Sequence, residues 1–597
     1  MCGFTGWVDP QPASQSILQR MTSALSHRGP DAEGMFYQTP IALGHRRLAI
    51  IDLAASLQPM RLGANALAYN GEIYNFHELK KELELLGHKF LTNGDTEVVL
   101  HALIEWKESA LSRLQGMFAL AFWDGETLLL ARDHLGVKPL YISQIADKIF
   151  FASEIKALLE HPAISREINC NAIGLYLECQ YIPAPLSIFQ QIQKLPPAHY
   201  LKFTNGVAEQ KKYWTPSYLP KFEFDEEEAI DQLTAHLRRS VQSMLIADVP
   251  IGVFLSGGID SSLIAALTQE VSGKKAMLFS IDLGEEQFAA RMASHLGSTY
   301  YPLSITPQDM IDALDDMFDE PLGDQAALPT LLLAKLTRQH VKVVLTGEGA
   351  DEIFGGYSNY GKRLKEAPIC ARYGKFPLPF LYPFMPMKLR KSRIFKAMSR
   401  PVSRRYTSVA SLFDREMHRS ILKFRTDTSL EDLAELHFLA CDSNEYLDKM
   451  LHIDQNLWLA DDLLAKVDRA TMTHSLEARV PYLDHHLVEF SARLPAHFKI
   501  RGADRKYLLR RVAEKGFLPP EIVTRAKHGF VLPLHTWMEG ALKPLINDAL
   551  ATLSARNLFQ PRFLTKSHHA TRLFALFSLE LWFRKYAPNF KLTLRKL

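Results

Sequence analysis

The fold of this chain is restricted first by an apolar strand that runs directly into a glycine turn. Residues 250–262 read Pro-Ile-Gly-Val-Phe-Leu-Ser-Gly-Gly-Ile-Asp-Ser-Ser and are followed by an apolar helical pattern. Adjacent glycines let backbone N–H groups approach a phosphate, and a helix N-terminus favours negative charge. The Gly-Lys-Ser/Thr ending of a Walker loop is absent. The segment therefore predicts a strand–turn–helix unit, which either binds phosphate or is purely structural.

The surrounding pattern predicts two domains of different class. Helical patterns alternate with apolar strands at 251–255, 276–281 and 341–345, as in a parallel α/β sheet. Residues 1–210 instead contain short apolar runs separated by turn residues, with a few helical patterns between them. A proline- and aromatic-rich stretch occupies 210–225. We therefore predict domains at 2–210 and 225–597, the second mostly helical after about residue 355.

Composition excludes several functional classes. The chain has 597 residues, 47% of them apolar, and a net charge of +3, which is too small to argue for nucleic-acid binding. No apolar run approaches the roughly 20 residues of a membrane helix, and the first residues lack the pattern of a signal peptide. The five cysteines have no metal-ligand spacing. These features predict a cytoplasmic protein without a membrane span.

Cys2 is the candidate nucleophile of the first domain. Removal of Met1 would place a thiol and a free α-amine on one residue, and the amine, with a reference pKa near 8, can act as a base. By itself, however, a cysteine at position 2 is also what chance would supply. Four downstream segments favour the functional interpretation: His-Arg-Gly-Pro-Asp (27–31), His-Arg-Arg-Leu (45–48), Tyr-Asn-Gly-Glu-Ile-Tyr-Asn (69–75) and Gly-Asp-Thr-Glu (94–97).

With these segments in this order, the first 200 residues resemble the class II, N-terminal-nucleophile glutamine amidotransferases. The resemblance implies an αββα fold in which Cys2 attacks the side-chain amide of glutamine. It makes Asn70 and Gly71 the oxyanion hole, pairs Arg47 with the glutamine α-carboxylate, and assigns the α-ammonium to Asp95 and Glu72. The alternatives are structural: Asn70-Gly71 as a hairpin turn, and Arg47 and Asp95 as surface ion-pair members.

Two further segments accompany the glycine turn in the second domain. Residues 344–357 read Val-Leu-Thr-Gly-Glu-Gly-Ala-Asp-Glu-Ile-Phe-Gly-Gly-Tyr, another strand that ends in glycines beside carboxylates. Such hard oxygen ligands near a phosphate loop suit Mg²⁺. Residues 461–484 carry Lys466 within a largely apolar helical stretch, where it is either functional or a surface lysine.

Together these segments resemble the synthetase half of the glutamine-hydrolysing asparagine synthetase family, and the likeness continues through 505–510 and 527–530 to Pro533 and Trp537. The resemblance implies a PP-loop ATP pyrophosphatase-type α/β domain with ATP as co-substrate and Mg²⁺ held by Asp260 and Asp351. It gives Glu348 and Lys466 catalytic roles around a β-aspartyl-AMP intermediate. It also implies a homodimer and ammonia passed between domains. Implied ATP-binding residues are Leu255, Ser256, Gly257, Gly258, Asp260, Ser261, Ser262, Ile281, Thr346 and Gly347, with Asp324 at a further pyrophosphate position.

The sequence departs from the family pattern at several places. The segment after the adenine-side strand, 282–288, is short, with Gly284 where the first acid of an expected pair would fall. Residues 55–59 read Ala-Ser-Leu-Gln-Pro instead of Gly-Gly-His-Gln-Pro. Residues 376–387 hold four prolines, and 388–405 hold eight basic residues and no acidic one. We interpret that stretch as a solvated surface insertion, the alternative being a membrane-surface or RNA contact.

Three other functions compete with asparagine synthesis. An amidotransferase of the same architecture could act on another carboxylate, such as a sugar acid, a peptide or an antibiotic precursor. A β-lactam-forming cyclase would share the second domain but would not need Cys2 and its partners. A nonenzymatic regulatory protein would have no chemical reason to keep Cys2, Lys466 and the residues around them. The sequence therefore favours glutamine-dependent synthesis of asparagine from aspartate and ATP.

Overall fold

The computed structural model describes most of the chain: residues 2–11, 14–282, 286–316, 318–373, 385, 393–407, 411–525, 534–560, 562–564 and 569–592. Part of the shortened 282–288 segment, the motif at 527–530 and Pro533 lie outside the described residues. Of the segment 376–405, only residues 385 and 393–405 are described.

Residues 2–212 form two antiparallel sheets. Their strands are β1 (Cys2–Val8), β2 (Ala32–Gln38), β3 (Ile41–Arg47), β4 (Met60–Leu62), β5 (Asn65–Ile73), β6 (Gly116–Trp123), β7 (Leu128–Arg132), β8 (Tyr141–Ile145), β9 (Lys148–Ala152), β10 (Gln193–Lys194), β11 (His199–Thr204) and β12 (Val207–Lys212). Within the described residues the strand orders are β10-β8-β9-β1-β3-β2 and β12-β11-β7-β6-β5-β4. In the first sheet, Cys2 lies opposite Arg47.

Apolar side chains from both sheets meet in one core, because alternate residues of each strand face inward. The helices Phe76–Leu85 and Asp95–Trp106 cover the outer face of the second sheet. The helices Gln15–Ser23, Ile155–Leu158 and Cys170–Cys179 cover the first. A short 3₁₀ helix, Lys107–Ser112, directly follows the helix Asp95–Trp106. The predicted αββα layering is confirmed.

The second half is built on a parallel sheet. Its strands are β13 (Ile251–Phe254), β14 (Met277–Asp282), β15 (Thr299–Ser304), β16 (Val343–Leu345) and β17 (Glu477–Arg479). Within the described residues their order is β15-β14-β13-β16-β17, and every neighbouring pair is parallel. A separate hairpin pairs β18 (Ile500–Arg501) with β19 (Asp504–Arg505). The predicted α/β parallel-sheet domain is confirmed.

Helices account for most of the remaining described residues in this half, as predicted. They are Glu226–Ser243, Ile259–Ser272, Glu286–Leu296, Pro307–Asp312, Ala327–Thr337, Ala350–Phe354, Ser358–Tyr373, Arg393–Met398, Val402–Arg405, Arg415–Ile421, Leu430–Ala440, Tyr446–Asn456, Leu464–Met472, His485–Arg493, Ala496–Lys499, Tyr507–Glu514, Pro520–Val523, Leu534–Glu539, Lys543–Ala555 and Ala570–Tyr586, with 3₁₀ turns at Ala313–Asp316 and Pro481–Leu483 and a π-helical turn at Leu459–Leu463. Of the helices in the described residues, none has the length and apolarity to cross a membrane.

The two halves share a packed interface. The C-terminal helix Ala570–Tyr586 buries Trp582 in the same apolar cluster as Tyr176, from the outer helical layer of the first half. The Tyr176 hydroxyl donates to the Ala575 carbonyl at 2.7 Å. Buried contacts of this kind hold the antiparallel sandwich against the parallel sheet in one arrangement.

Candidate active sites

Cys2 lies at the start of β1 and is 7% exposed. Its backbone N–H donates to Asn70 Oδ1 at 2.9 Å, and Arg28 Nε donates to its carbonyl oxygen at 3.0 Å. Burial raises the pKa of the Cys2 thiol. Because the thiol is therefore protonated at neutral pH, a nearby base is needed before it can act as a nucleophile.

Asn70 and Gly71 lie inside β5 beside Cys2, so the alternative of a hairpin turn is wrong. The Asn70 side chain is fully buried, and its Nδ2 has no hydrogen-bond partner. A Cβ atom on Gly71 would lie 2.1 Å from the Met117 carbonyl oxygen, so only glycine fits. An unpartnered amide donor next to a buried thiol is what an oxyanion requires.

Arg47 and Asp95 are both buried, so their interpretation as surface ion-pair residues is wrong. Arg47 lies opposite Cys2 in the ladder, and its Nη1 donates to the Leu53 carbonyl at 2.8 Å. Asp95 begins the helix Asp95–Trp106, and its Oδ2 accepts from the Tyr69 hydroxyl at 2.9 Å. The ladder and this helix N-terminus therefore bring a cation and an anion to the Cys2 site.

Glu72 completes this cluster, two residues after Asn70 on β5. Its carboxylate is buried, and Oε2, which has no hydrogen-bond partner, lies 3.9 Å from Arg479 Nη2. Burial raises the pKa of Glu72 well above its usual range, and the Glu477 and Asp95 carboxylates raise it further. A cluster of carboxylates with one guanidinium attracts a further cation, such as an ammonium group.

The glycine turn forms the predicted strand–turn–helix unit between β13 and the helix Ile259–Ser272. Gly257 has a φ of +67°, and a Cβ there would lie 2.6 Å from the Ala289 nitrogen. The Ser256 N–H donates to Ser261 Oγ at 3.0 Å, which closes the loop over the helix N-terminus. The unit therefore presents its first turn to a cavity at the carboxyl ends of the strands, the usual ligand position in such sheets.

That cavity has a volume of about 510 Å³. Most of the residues predicted to bind ATP line it: Leu255, Ser256, Gly258, Asp260, Ser261, Ile281, Thr346 and Gly347. Asp324, Glu348, Asp351 and Lys466 line it as well. Gly257 and Ser262 do not; Ser262 is fully buried behind the loop. Most residues of the predicted second site therefore lie on the wall of one cavity.

Lys466 is buried, so the interpretation as a surface lysine is wrong. Its Nζ lies 2.9 Å from Asp324 Oδ2. Burial opposes its charge, but the Asp324, Glu348 and Asp462 carboxylates outweigh burial and raise the pKa of Lys466 above its usual range. Lys466 is therefore a fixed positive charge on the cavity wall.

Lys506 is a cavity residue to which the sequence analysis gave no role. Its Nζ lies 2.6 Å from Asp260 Oδ2 and 2.7 Å from Asp351 Oδ1, so it bridges the two expected metal ligands. Its backbone is left-handed, with a φ of +52°. A lysine that precedes a helix carries no local signal of this contact, because Asp260 lies 246 residues away.

Buried ion pairs link the two sites across the interface. Arg28, which holds the Cys2 carbonyl, contacts Asp468 at 2.8 Å and Glu154 at 2.7 Å. Lys138 lies 3.5 Å from the same Asp468. Since Asp468 is two residues from Lys466 on one helix, the surroundings of the thiol and of the cavity over the glycine turn share a structural element.

A small cavity of about 10 Å³ also lies at this interface. Its lining comes from both halves and includes Met117 and Leu135 from the first and Met244 and Val480 from the second. Its volume is about that of one water-sized molecule.

Comparisons with known proteins agree with this geometry. Residues 232–584 match the family model described as asparagine synthase, and residues 1–214 match the glutamine amidotransferase domain. The chain belongs to the asparagine synthase family. It is 33% identical to asparagine synthetase [glutamine-hydrolyzing] 1 of Bacillus subtilis (strain 168), over 92% of this chain and 90% of that protein.

Other relatives of this chain carry different names. A putative asparagine synthetase [glutamine-hydrolyzing] of Mycobacterium bovis is 33% identical, over 98% of this chain and 97% of that protein. Amidase chry2 of Gibberella zeae is 27% identical, over 94% and 93%. The family places this chain among ATP-dependent ligases with a glutamine amidotransferase domain.

Proposed function

We propose that this protein is a glutamine-dependent asparagine synthetase, converting aspartate, glutamine, ATP and water into asparagine, glutamate, AMP and pyrophosphate. The observation that carries the proposal is the presence, in one packed chain, of Cys2 beside the unpartnered Asn70 amide and of a charged cavity over the glycine turn. Asparagine synthetases that match more than nine-tenths of the chain support aspartate as the acceptor.

In the first half, Cys2 attacks the glutamine amide carbon, with its own α-amine as base once Met1 is removed. The Asn70 Nδ2–H and Gly71 N–H donate to the oxyanion. Collapse expels ammonia and leaves a thioester, which water hydrolyses to glutamate. Arg47 binds the substrate α-carboxylate, while Asp95 and Glu72 bind its α-ammonium. The raised pKa of Glu72 supports that last assignment, because burial and the Glu477 and Asp95 carboxylates disfavour its charge and a further cation would stabilise it.

In the second half, the loop 255–262 and the strand end at Thr346-Gly347 hold ATP. The aspartate β-carboxylate attacks the α-phosphorus and pyrophosphate departs, which yields β-aspartyl-AMP. Lys466 neutralises the charge that grows on the phosphate, a role supported by its fixed protonation. Ammonia then attacks the acyl carbon beside Glu348, and AMP leaves as the nitrogen loses a proton.

Magnesium fits this cavity. Asp260 Oδ1 is buried without a hydrogen-bond partner, and Lys506 already occupies a cation position between Asp260 and Asp351. Mg²⁺ commonly uses only one or two carboxylates together with substrate phosphates. We assign Asp260 and Asp351 to Mg²⁺, which would neutralise phosphate charge when bound.

The two reactions require ammonia to pass between the halves in neutral form. The small interface cavity supports a route there, because residues of both halves line it, Met117 and Asp133 from the first and Met244 and Asp484 from the second. We also propose domain limits at 2–210 and 225–597. The family matches, which end at 214 and begin at 232, support that division.

A second acceptor class remains a candidate because some relatives are named amidases. The deciding experiment measures pyrophosphate release with Mg-ATP and glutamine, with aspartate compared against sugar acids and peptide carboxylates. Aspartate-dependent release with an equal amount of asparagine supports the proposal. Release with another acid and none with aspartate would keep the two-site mechanism and reject asparagine as the product.

A further inference from the structure

The edge strand β17 belongs by its backbone to the ATP-binding half. It pairs in parallel with β16, with Leu345 opposite Arg479. The Thr346 N–H, on the cavity wall, donates to the Arg479 carbonyl at 2.9 Å. The main chain of Arg479 is therefore fixed by the sheet that carries the ATP cavity.

The side chains of β17 point to two sides, as strand geometry requires. Ala478 packs with Val344 and Val467 inside the second half. Glu477 and Arg479 point the other way, and Arg479 is fully buried at Glu72 and Tyr74 of the first half. An edge strand of one half thus delivers a guanidinium to the glutamine site of the other.

Most of the Arg479 guanidinium is held by fixed partners. Nη1 donates to the carbonyls of Met244 and Ile246, both at 2.7 Å, and Nε donates to Glu477 Oε1 at 2.5 Å. Nη2 alone is buried without a hydrogen-bond partner. These contacts fix the plane of the guanidinium and the direction in which Nη2 points.

The group facing Nη2 is Glu72 Oε2, which is also buried and without a hydrogen-bond partner. The two atoms lie 3.9 Å apart, about 1 Å beyond an ordinary N–H···O bond. Leaving a buried donor and a buried acceptor both unsatisfied is unfavourable, because neither group regains the hydrogen bonds it made to water. A substrate that orders Glu72 would let the bond close.

We propose that Arg479 is a positioning residue for glutamine binding: it orients the Glu72 carboxylate toward the substrate α-ammonium. The proposal rests on the function proposed above for Glu72. It makes the glutamine site incomplete without a residue from the ATP-binding half. Burial and the neighbouring Glu477 and Asp95 carboxylates raise the pKa of Glu72 well above its usual range, and Arg479 opposes them, so added positive charge favours the ionised form that binds an ammonium.

The test is Arg479→Lys. Lysine keeps a positive charge but cannot reproduce the rigid planar arrangement of N–H donors in the guanidinium. Glutamate release from glutamine, without ATP or acceptor, should show a KM raised at least about tenfold with kcat changed less than about twofold. Arg469→Lys is the matched control, since Arg469 is a buried interface arginine that contacts Tyr141 and does not reach Glu72. It should leave the glutamine KM unchanged.

Two further measurements separate positioning from folding. If Arg479 acts through Glu72, the double variant Glu72→Gln/Arg479→Lys should match Glu72→Gln alone in glutamine KM, whereas additive effects would overturn the proposal. Ammonia-dependent pyrophosphate release should survive in Arg479→Lys. An equal fall in ammonia- and glutamine-dependent turnover would show a structural role and also overturn it. A wild type that hydrolyses no glutamine would instead reject the proposed function.

Discussion

The glutamine site and the ATP cavity handle polar groups in opposite ways. Around Cys2, Asn70 Nδ2 and Glu72 Oε2 are buried without hydrogen-bond partners. Around the ATP cavity, the charged groups are paired with one another: Lys466 with Asp324, and Lys506 with Asp260 and Asp351. In the first site the Asn70 donor is therefore in place before the substrate arrives, and Glu72 still lacks a close partner. The second must exchange protein–protein ion pairs for phosphate contacts when ATP binds.

The largest expected effect is on the first site. Cys2→Ala should lower glutamine-dependent synthesis by at least about 10³-fold, because the nucleophile is lost. Synthesis from added ammonium should continue, since the ATP cavity is untouched. Pyrophosphate release, measured once with glutamine and once with ammonium, reports the rates of the two reactions. Loss of the ammonia-dependent reaction as well would contradict this separation, because it would show that the second site does not work independently of Cys2.

Asn70→Ala should lower kcat for glutamine hydrolysis by about 10²–10³-fold, because it removes a buried oxyanion donor already in place. Asn65→Ala is the matched control, since Asn65 lies at the start of the same strand and its amide only donates to the Leu62 carbonyl. Glutamate release reports the rate. A loss confined to KM would mean that Asn70 binds glutamine rather than its transition state.

Lys506→Met tests the paired arrangement of the second site. It leaves Asp260 and Asp351 without their bridging cation, so ATP-dependent pyrophosphate release should fall about 10²-fold while glutamine hydrolysis is unchanged. Lys515→Met is the control, because Lys515 forms only an exposed pair with Glu227. An unchanged rate for Lys506→Met would show that the bridge is dispensable once ATP and Mg²⁺ are bound.

The pH dependence of the two sites should also differ. The α-amine of Cys2 accepts a proton only when neutral, so kcat/KM for glutamine should fall about tenfold per pH unit below its pKa. The pKa values of Lys466 and Lys506 are raised, because nearby carboxylates outweigh burial, so both stay charged through this range. Ammonia-dependent synthesis, plotted against neutral ammonia, should therefore be flat. A parallel fall in both reactions would contradict this difference.

The sequence predicted the elements whose signals are local. The strand–turn–helix at 250–262, the αββα layers and the lining of most of the ATP cavity followed from apolar spacing, glycine turns and family motifs. It left open the conformation of Asn70-Gly71 and the burial of Arg47, Asp95 and Lys466. The conformation of a dipeptide and the burial of a side chain depend on which distant part of the chain packs against them. Packing between distant segments has no local signal in the sequence.

The residues that the sequence analysis missed are all set by distant partners. Lys506 owes its place to carboxylates from two other elements, and Arg479 to a carboxylate in the other half of the chain. Asp462 lies on the π-helical turn, with both carboxylate oxygens buried and without hydrogen-bond partners. A π-helical turn is frequent at functional sites, but spacing alone does not distinguish it from an α-helical turn.

The Arg28–Asp468 pair also sets an order of events during synthesis on the ribosome. Its two members are 440 residues apart. At roughly 5–20 residues per second, Asp468 is made about 20 to 90 s after Arg28. During that interval the nascent N-terminal half carries Arg28 and Lys138 without their shared acidic partner. The strand that carries Cys2 therefore acquires its final support late in translation, so premature termination yields an N-terminal half in which Arg28 can still pair with Glu154 but Arg28 and Lys138 both lack Asp468.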